Sequence, residues 1–267
     1  MDAHELTGVS ETMLWTLHDR VHEALRPGGR LFDPDAVRIY HQIDVDLRRR
    51  FGPPLGVIGL RSAAFDRVVQ RFVDAHPSAV VVNLGEGLET QRYRIRGDRL
   101  WITVDLPDAI QVRERFIAAD DDHWHISASA TDPDLFDIVP PDRPTLLTAQ
   151  GLFMYLHPHQ VRDIVVRFAE RFPGGRIVFD TMPGITARLS ALRLPVSPRF
   201  RLPPMPFGLD QRDAAQVLGS WVRGVVVGQQ PLPFAWSPAR LAYGVMRRLP
   251  GVRHRMPGIV VADVPRR

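Results

Sequence analysis

Short apolar runs that alternate with helix-like segments constrain the fold of this chain more than any other feature. The runs cover residues 80–84, 100–104, 126–130, 145–149 and 176–179. Continuous apolar runs of this length are typical of strands that are buried on both faces of a sheet. Their alternation with helices predicts βαβ units, and therefore a parallel sheet with right-handed crossovers.

Helix signals also precede the first of these runs. Ser10 is predicted to cap a first helix, and Asp33 stands at the start of a second. Ser62 is predicted to cap a third helix, which Pro77 ends. The first and third helices repeat apolar residues at the spacing of one helix face, so we expect a helical cap before the sheet.

Later in the chain, helices are predicted at residues 107–118 and 158–172, where apolar residues again recur at helical spacing. Residues 183–212 are rich in proline and arginine, which predicts a long loop or lid. Two further strands are expected near the C-terminus, at residues 222–227 and 258–264.

The amino-acid composition excludes several classes of function. The 267 residues include no cysteine, which excludes disulfides, zinc–thiolate sites and a cysteine nucleophile. The formal net charge is only +4 and the arginines are scattered, so we expect a solvated surface and no nucleic-acid partner. The N-terminus lacks the apolar stretch of a signal peptide, and no run reaches the length of a membrane span. We therefore expect a cytoplasmic protein without a membrane partner.

A pair of glycines directly follows the first predicted strand. Gly85 and Gly87 allow a tight turn and a close approach by a ligand, because neither residue has a Cβ. They stand at the carboxyl edge of a parallel strand, where open α/β sheets bind ligands. Asp105 ends the second predicted strand about 20 residues further on, and a carboxylate at that spacing accepts hydrogen bonds from the ribose hydroxyls of an adenosine.

The residues around the glycines separate two kinds of cofactor. A nicotinamide-binding loop would have a third glycine where this chain has Thr90. Glu86 and Glu89 would repel a pyrophosphate and would suit a cation, such as the sulfonium and ammonium groups of S-adenosylmethionine. A nicotinamide-dependent oxidoreductase and a non-catalytic cofactor-binding protein stay open as alternatives.

Three stretches resemble the motifs of the leucine carboxyl methyltransferase superfamily. They are residues 83–91 (NLGEGLETQ), 104–107 (VDLP) and 148–156 (TAQGLFMYL). The resemblance runs from about Glu11 to Asp180 and is nearest to the branch of polyketide O-methyltransferases of the tetracenomycin type. It implies a class I methyltransferase that uses S-adenosylmethionine, with a Rossmann-like α/β sheet that is mostly parallel and has an antiparallel C-terminal strand.

The resemblance also implies roles for single residues at the cofactor. Arg61 would hold the methionine carboxylate, and Gly85 and Gly87 would pass close to the methionine part. Asp105 would bind the ribose, and Leu106 would lie against the adenine. The other positions expected at the cofactor are Asn83, Glu86, Ala130, Thr131, Asp132, Gln150 and Gly151. Among these, Asp132 would accept a hydrogen bond from the adenine amino group and Gln150 one from the ammonium group.

The acceptor side is expected to bind a small molecule, either a carboxylate or a phenol of an aromatic, polyketide-like metabolite. Tyr155 and His157 are the candidate catalytic residues. Trp15, Arg199, Met205 and Phe207 are, with Tyr155, the candidate substrate-binding residues. A carboxylate is ionised at neutral pH and needs no general base, whereas a phenol usually needs one. His123, His125 and His159 are further candidate bases, although surface roles are favoured for all of them, and no metal is expected.

These interpretations predict one methyltransferase domain over residues 1–267. Its parts are the N-terminal helices (1–77), the cofactor-binding core (78–182), the lid or substrate loop (183–212) and the C-terminal strands and helix (213–267).

Overall fold

The computed structural model describes residues 6–193, 195–232 and 255–266. The helices of this part are α1 (Gly8–Leu25), α2 (Pro34–Gln42), α3 (Leu47–Phe51), α4 (Val57–Ala75), α5 (Gln91–Arg94), α6 (Pro107–Arg113), α7 (Pro158–Arg171), α8 (Gly184–Ser190) and α9 (Ala214–Trp221). The strands are β1 (Ala79–Leu84), β2 (Arg99–Asp105), β3 (His123–Ser127), β4 (Thr145–Ala149), β5 (Arg176–Thr181), β6 (Pro195–Ser197), β7 (Phe200–Arg201), β8 (Val226–Pro231) and β9 (Gly258–Asp263).

Seven of these strands form one sheet in the order β3-β2-β1-β4-β5-β9-β8. Strands β1 to β5 pair in parallel, and β9 runs antiparallel to both of its neighbours. The predicted fold class, a mostly parallel sheet with an antiparallel C-terminal strand, is confirmed. The chain moves from β1 to β2 and β3 on one side, and then returns to β4 on the other. This reversal opens a crevice at the carboxyl end of β1.

The burial of β1 explains why its sequence is a continuous apolar run. Val80 and Val82 pack in one buried cluster that includes Phe168 of α7. Val81 faces the opposite side of the sheet and packs in a second cluster that includes Phe65 of α4. Because successive side chains of a strand point to opposite faces, a strand covered on both sides has to be apolar throughout.

Helix α1 packs tightly against α4. At their crossing, a Cβ added to Gly59 would lie 2.4 Å from the Cβ of Glu23, so only glycine allows this approach. Leu14 and Leu17 of α1 are fully buried in a third cluster, together with Ile39 of α2. The N-terminal helices are therefore joined to the sheet through α4. Among the described helices, none combines the length and the apolar character that a membrane span requires.

Two of the predicted helix caps are wrong. Ser10 lies inside α1, which already begins at Gly8. Ser62 lies in the second turn of α4, which begins at Val57, and its hydroxyl donates a hydrogen bond to Glu89 at 2.8 Å. Ser62 has its partner elsewhere in the fold, and Ser10 is buried at the cavity, so a local capping signal was misleading at these positions. The start of the second helix at Asp33 is confirmed, because its carboxylate caps α2.

The true N-terminal cap of α4 comes from another helix. The buried carboxylate of Asp19 in α1 accepts hydrogen bonds from the backbone amides of Leu55, Gly56 and Ile58, at 2.6, 2.7 and 2.7 Å. The first amides of a helix have no partner within the helix, so a carboxylate placed there satisfies them and also opposes the positive end of the helix dipole. Asp19 thus ties α1 to the start of α4.

The boundaries of three other predicted elements shift. The third strand covers His123–Ser127 rather than residues 126–130, because its histidines find polar partners inside the fold. The helix predicted at 107–118 ends at Arg113, and the strand predicted at 222–227 begins only at Val226. The other strands of the sheet and the helix predicted at 158–172 match within two residues.

The proline- and arginine-rich segment, residues 183–212, is more ordered than a loop. It contains α8 and a short hairpin of β6 and β7. In the hairpin, Phe200 packs edge-on against Phe51 with ring centroids 4.7 Å apart, and Ser197 donates a hydrogen bond to the carbonyl of Arg50 at 2.5 Å. These contacts hold the hairpin on α3. Leu194, a residue of the same segment, lies outside the described residues.

Replacing Asp19 with alanine should destabilise the protein strongly. Three backbone amides would lose their acceptor, so we expect the free energy of unfolding to fall by about 3 kcal/mol. The change can be measured by urea denaturation. Asp163→Ala is the control, since Asp163 forms a half-exposed ion pair with Arg162 and should change stability by less than about 0.5 kcal/mol. Equal losses in the two variants would contradict the capping role of Asp19.

Candidate functional site

A cavity of about 400 Å³ lies at the carboxyl ends of β1, β2, β4 and β5, between the sheet and the N-terminal helices. Thirteen of the predicted site residues line it: Trp15, Arg61, Asn83, Gly85, Glu86, Gly87, Asp105, Leu106, Ala130, Gln150, Gly151, Tyr155 and Met205. Five predicted residues are not among the described residues of its wall: Thr131, Asp132, His157, Arg199 and Phe207.

The glycine loop after β1 approaches two neighbouring segments closely. Gly85 and Gly87 have backbone φ angles of +64° and +53°, a region that residues with a Cβ rarely adopt. A Cβ on Gly87 would lie 2.8 Å from the Cβ of Met13, and one on Gly85 would lie 3.0 Å from Leu152. The absence of side chains therefore keeps the loop compact and its backbone open to the cavity.

Asp105 holds this loop from the end of β2. Its carboxylate accepts hydrogen bonds from the backbone amides of Gly87 and Leu106, at 2.7 and 2.8 Å. Burial raises the pKa of Asp105 to about 6, although the two amides act in the opposite direction. Each carboxylate oxygen has two lone pairs, so one on each oxygen is left for a further donor. The side chain can accept two hydroxyl groups, as the ribose of a nucleoside would require.

Arg61 of α4 forms a fixed positive charge on the opposite wall. Its Nη1 donates to Oδ2 of Asp180 at 2.9 Å, and the amide of Gly151 donates to Oδ1 of the same carboxylate at 2.6 Å. A Cβ on Gly151 would lie 2.8 Å from Nη1 of Arg61, so the glycine makes room for the guanidinium. Nε of Arg61 is buried without a hydrogen-bond partner. This unpaired donor suits a carboxylate ligand.

Two amide side chains complete the same end of the cavity. Asn83 accepts a hydrogen bond from the hydroxyl of Thr148, and its Nδ2 is buried without a partner. Gln150 donates through Nε2 to Ser62 at 2.9 Å and to Glu89 at 3.2 Å, whereas its Oε1 is buried without a partner. Unpaired buried polar atoms are rare and mark places where a ligand can bind. The free donors and the free acceptor at this end fit the carboxylate and the ammonium of an amino acid.

The two acids beside the glycines do not act as the sequence suggested. Glu86 was expected to offer a free negative charge to a cationic ligand, but it is turned beneath the loop. Its carboxylate pairs with Arg113 at 3.1 Å and accepts hydrogen bonds from Trp101 at 3.0 Å and from Thr103. Burial raises the pKa of Glu86 even so.

Glu89 is also paired inside the protein. It lies 3.4 Å from Arg20 and 2.9 Å from Arg94. Burial alone would raise the pKa of Glu89, but the two arginines hold it well below its usual value. Both acids are therefore paired with arginines, whereas the sequence predicted free charges that would attract a cationic ligand. Polar atoms left without a partner at this end of the cavity belong instead to Arg61, Asn83 and Gln150.

Arg113 of α6 supports the glycine loop from below, a role that no pattern in the sequence predicts. Its Nη1 donates to the carbonyl oxygens of Gly87 and Glu89, at 2.6 and 2.9 Å. An arginine in the last turn of a helix usually faces solvent, so only the fold brings this one beneath the loop. Asp180 was also missed, but it could have been found, because it ends a predicted strand at the carboxyl edge as Asp105 does.

The other half of the cavity is mainly apolar. Trp15 and Met205, both predicted, line it together with Met154, Met182 and Leu202, which the sequence analysis missed. The ring of Trp15 packs 6.1 Å from that of Phe200, so the hairpin supports this wall.

Tyr155 lines the cavity close enough to Arg61 and Asp180 for both charges to act on its hydroxyl. Burial raises the pKa of its hydroxyl, and nearby Asp180 acts in the same direction. The tyrosine therefore stays protonated at neutral pH. It can donate a hydrogen bond, but it is a poor general base.

Three residues predicted for the acceptor side lie away from this wall. His157 is exposed at the start of α7, where its backbone amide donates to Gln160 at 2.8 Å and its ring stacks on His159. Arg199 is exposed on the hairpin. Phe207 is buried in the hydrophobic cluster that also contains Phe153 and Leu209, and it is not among the described residues of the cavity wall.

The segment after β3 contributes only its first residues. Ser129 and Ala130 line the cavity, as Ala128 does. The next two residues turn away, and the carbonyls of Thr131 and Asp132 accept hydrogen bonds from Arg167 at 3.3 and 2.5 Å. β3 ends at Ser127, three residues before the predicted end of this strand. Thr131 and Asp132, which were expected at the adenine, therefore lie beyond the cavity.

His123 and His125 belong to the support of the loop. They lie on the same face of β3 with ring centroids 4.4 Å apart. His123 hydrogen bonds with the hydroxyl of Thr103 at 2.9 Å, and Nε of Arg113 donates to His125 at 3.3 Å. Burial lowers the pKa of both rings, that of His123 to about 2, so they are neutral at physiological pH.

Solved structures of low sequence identity share the fold. The chain aligns with a possible exported protein from Bordetella parapertussis at a TM-score of 0.56 and 17% identity, over 96% of each chain. A putative methyltransferase from Thermobifida fusca aligns at a TM-score of 0.53 and 15% identity, over 93% of this chain and 94% of that one. The fold is the Rossmann-like fold of methyltransferases.

Closer relatives identify the family. Residues 36–169 match the family model of leucine carboxyl methyltransferases. The chain is 34% identical to the tetracenomycin polyketide synthesis O-methyltransferase TcmP of Streptomyces glaucescens, over 69% of this chain and 70% of that protein. It is 28% identical to the S-adenosyl-L-methionine-dependent methyltransferase dpfgK of Gibberella zeae, over 67% of each. The chain belongs to the leucine carboxyl methyltransferase family.

The family resemblance, the methyltransferase activity and the use of S-adenosylmethionine are thus confirmed, and the oxidoreductase and non-catalytic alternatives are set aside. The polar atoms of the cavity also fit this cofactor, independently of the sequence comparisons. Its unpaired amide and guanidinium atoms suit the amino-acid end, and Asp105 suits the ribose.

The affinity for S-adenosylhomocysteine should fall as the pH drops through about 6. We expect ribose hydroxyls to donate to the ionised form of Asp105, whose pKa is about 6, so protonation would remove an acceptor. Below that pH we expect a loss of up to about tenfold per pH unit. Calorimetric titrations at several pH values measure it. Asp105→Asn should bind weakly with no such pH dependence, and a flat profile in the unaltered protein would contradict this role.

Proposed function

We propose that this methyltransferase forms methyl esters on a small, planar, aromatic molecule of the polyketide type, with a carboxylate as the methyl acceptor. The observation that carries the choice of a carboxylate is the lack of a free base on the described wall of the cavity. The carboxylates there are Glu86, Glu89, Asp105 and Asp180, and each is held by arginine or by backbone amides. No histidine is among the described residues of that wall.

This arrangement favours an acceptor that is already ionised. A carboxylic acid has a pKa near 4 and is a nucleophile at neutral pH without help. A phenol has a pKa near 10, and its methylation usually needs a general base. Asp105, with a pKa of about 6, is the nearest to a base, but we assign its free lone pairs to the ribose.

The protein's own contribution is positioning. S-adenosylmethionine supplies, when bound, a methyl group on a sulfonium that an oxygen nucleophile can displace in line. Arg61, Asn83 and Gln150 would hold its amino-acid end, Asp105 its ribose, and the half-exposed side chain of Leu106 its adenine. Alignment of two bound reactants can lower a barrier by roughly 7–11 kcal/mol, so no further group is required for the transfer.

The apolar half of the cavity supports an aromatic acceptor. Trp15, Met154, Met205 and Leu202 line the cavity and offer apolar surface to a flat ring system. The protonated hydroxyl of Tyr155 could donate a hydrogen bond to the carboxylate oxygen that is not methylated, and so orient the other oxygen. The proposal of a polyketide-type acceptor comes from a relative, the O-methyltransferase of tetracenomycin polyketide synthesis.

We also propose that residues 1–267 form one domain, since α1 and α4 supply walls of this cavity.

The proposal predicts that an aromatic acid is methylated in preference to the matching phenol. Incubation with S-adenosylmethionine and either 2-naphthoic acid or 2-naphthol, followed by mass spectrometry, should give the methyl ester and little ether. The rate of ester formation should stay level from about pH 7 to pH 9, because the acceptor is ionised throughout.

Tyr155→Phe serves as the companion variant. It should raise KM for the acid by about tenfold, since one hydrogen bond to a charged group is lost, while KM for S-adenosylmethionine stays unchanged. Preferred formation of the ether, at a rate that rises with pH, would contradict the proposal and would indicate a phenol acceptor.

A further inference from the structure

A buried ionic cluster lies directly behind the amino-acid end of the cavity. It consists of Arg20, Arg94, Asp33, Asp66 and Glu89. Arg94 contacts all three carboxylates, at 2.7 Å from Asp33, 2.7 Å from Asp66 and 2.9 Å from Glu89. Of the three carboxylates, Glu89 is the one that reaches the cavity wall.

Glu89 joins this cluster to Gln150. Its Oε2 accepts a hydrogen bond from the Ser62 hydroxyl at 2.8 Å and from Nε2 of Gln150 at 3.2 Å. The Ser62 oxygen also accepts from Nε2 of Gln150, at 2.9 Å. The NH₂ group of Gln150 therefore donates to oxygen atoms behind the wall, and Oε1 remains buried without a partner.

The chemistry of these groups fixes which end of the amide faces the cavity. The two ends of a glutamine amide have nearly the same shape, so hydrogen-bond partners decide its orientation. An ionised carboxylate can only accept hydrogen bonds, and it therefore requires the NH₂ end of Gln150. The arginines of the cluster keep the pKa of Glu89 low, so that this carboxylate stays ionised over the whole physiological range.

We propose that Glu89 is a positioning residue for cofactor recognition: it locks the amide of Gln150 with the carbonyl oxygen towards the cavity, where it accepts from the cofactor's ammonium group. The lock matters because the opposite orientation would present the NH₂ group, a donor, to another donor. The proposal concerns only the bound cofactor and does not depend on the identity of the methyl acceptor.

A purely structural role for Glu89 is the competing explanation. Glu89 pairs with arginines that also hold α1 and the start of α2, so its loss could loosen the whole cavity. A structural effect would weaken every ligand of the cavity alike. A positioning effect would weaken only ligands that carry the ammonium group. The two explanations therefore differ in the ratio of two affinities.

The test compares S-adenosylhomocysteine with 5′-methylthioadenosine, which shares the nucleoside and the sulfur but lacks the amino acid. In Glu89→Gln the neutral amide can donate as well as accept, so Gln150 is free to turn. Calorimetry should show about a tenfold or greater loss of affinity for S-adenosylhomocysteine and a change below about twofold for 5′-methylthioadenosine. Equal losses for both ligands, or no loss for either, would overturn the proposal.

Two matched variants distinguish the positioning effect from a general loss of structure. Asp66→Asn removes another carboxylate from Arg94 without touching Gln150, and it should lower the melting temperature but leave the affinity ratio unchanged. Ser62→Ala keeps the ion pairs of Glu89 and removes the shared hydroxyl, so it should shift the ratio in the same direction by a smaller amount. If Asp66→Asn shifts the ratio as Glu89→Gln does, the lock is not specific to Glu89.

A double variant tests whether Glu89 acts through Gln150. In a Gln150→Ala background, Glu89→Gln should cause no further change in the affinity ratio, because the side chain through which Glu89 acts is absent. An additive effect of the two substitutions would assign Glu89 a role that is independent of Gln150 and would refute the lock.

Discussion

The glycine loop after β1 depends on buried ion pairs, and the rest of the site depends on that loop. Arg113 holds its carbonyls from below while pairing with Glu86, and Arg20 and Arg94 hold Glu89 at its end. Removing charges from water is costly, and such pairs are stable only when further hydrogen bonds complete them. Here those hydrogen bonds come from loop carbonyls and from β2, so the pairs specify the position of the loop.

One consequence is that the wall of the cavity carries little unpaired charge. Glu86 and Glu89, which the sequence suggested as ligand-binding acids, are neutralised by arginines of α1, α5 and α6. The unpaired atoms on Arg61, Asn83 and Gln150 and the carboxylate of Asp105 remain, and we assign ligand recognition to them. Such a site distinguishes ligands by the positions of donors and acceptors, and less by net charge.

The parts of the site that could be predicted from the sequence are those with a local signature. The buried strands appear as apolar runs, and Gly85, Gly87 and Asp105 follow from their places at strand ends. The parts that could not be predicted depend on distant partners. Ser62 looks like a cap but bonds to Glu89, and Arg113 looks like a surface residue but lies under the loop.

The misplacement of β3 has the same physical origin. A strand that contains two histidines does not appear as an apolar run, and only the polar partners supplied by β2 and α6 make its burial possible. The resemblance to the methyltransferase superfamily placed the adenine-side residues at positions 130–132, but β3 already ends at Ser127. Thr131 and Asp132 consequently fall beyond the cavity, whereas Ala130 remains on its wall.

A crystal structure of the protein with S-adenosylhomocysteine bound would show which atoms hold the ligand. We expect ribose hydroxyls within about 3 Å of the Asp105 carboxylate, and the ligand's carboxylate and ammonium at similar distances from Arg61 and Oε1 of Gln150. A ligand whose ribose lies away from Asp105, or whose amino-acid end lies away from Arg61 and Gln150, would contradict this expectation.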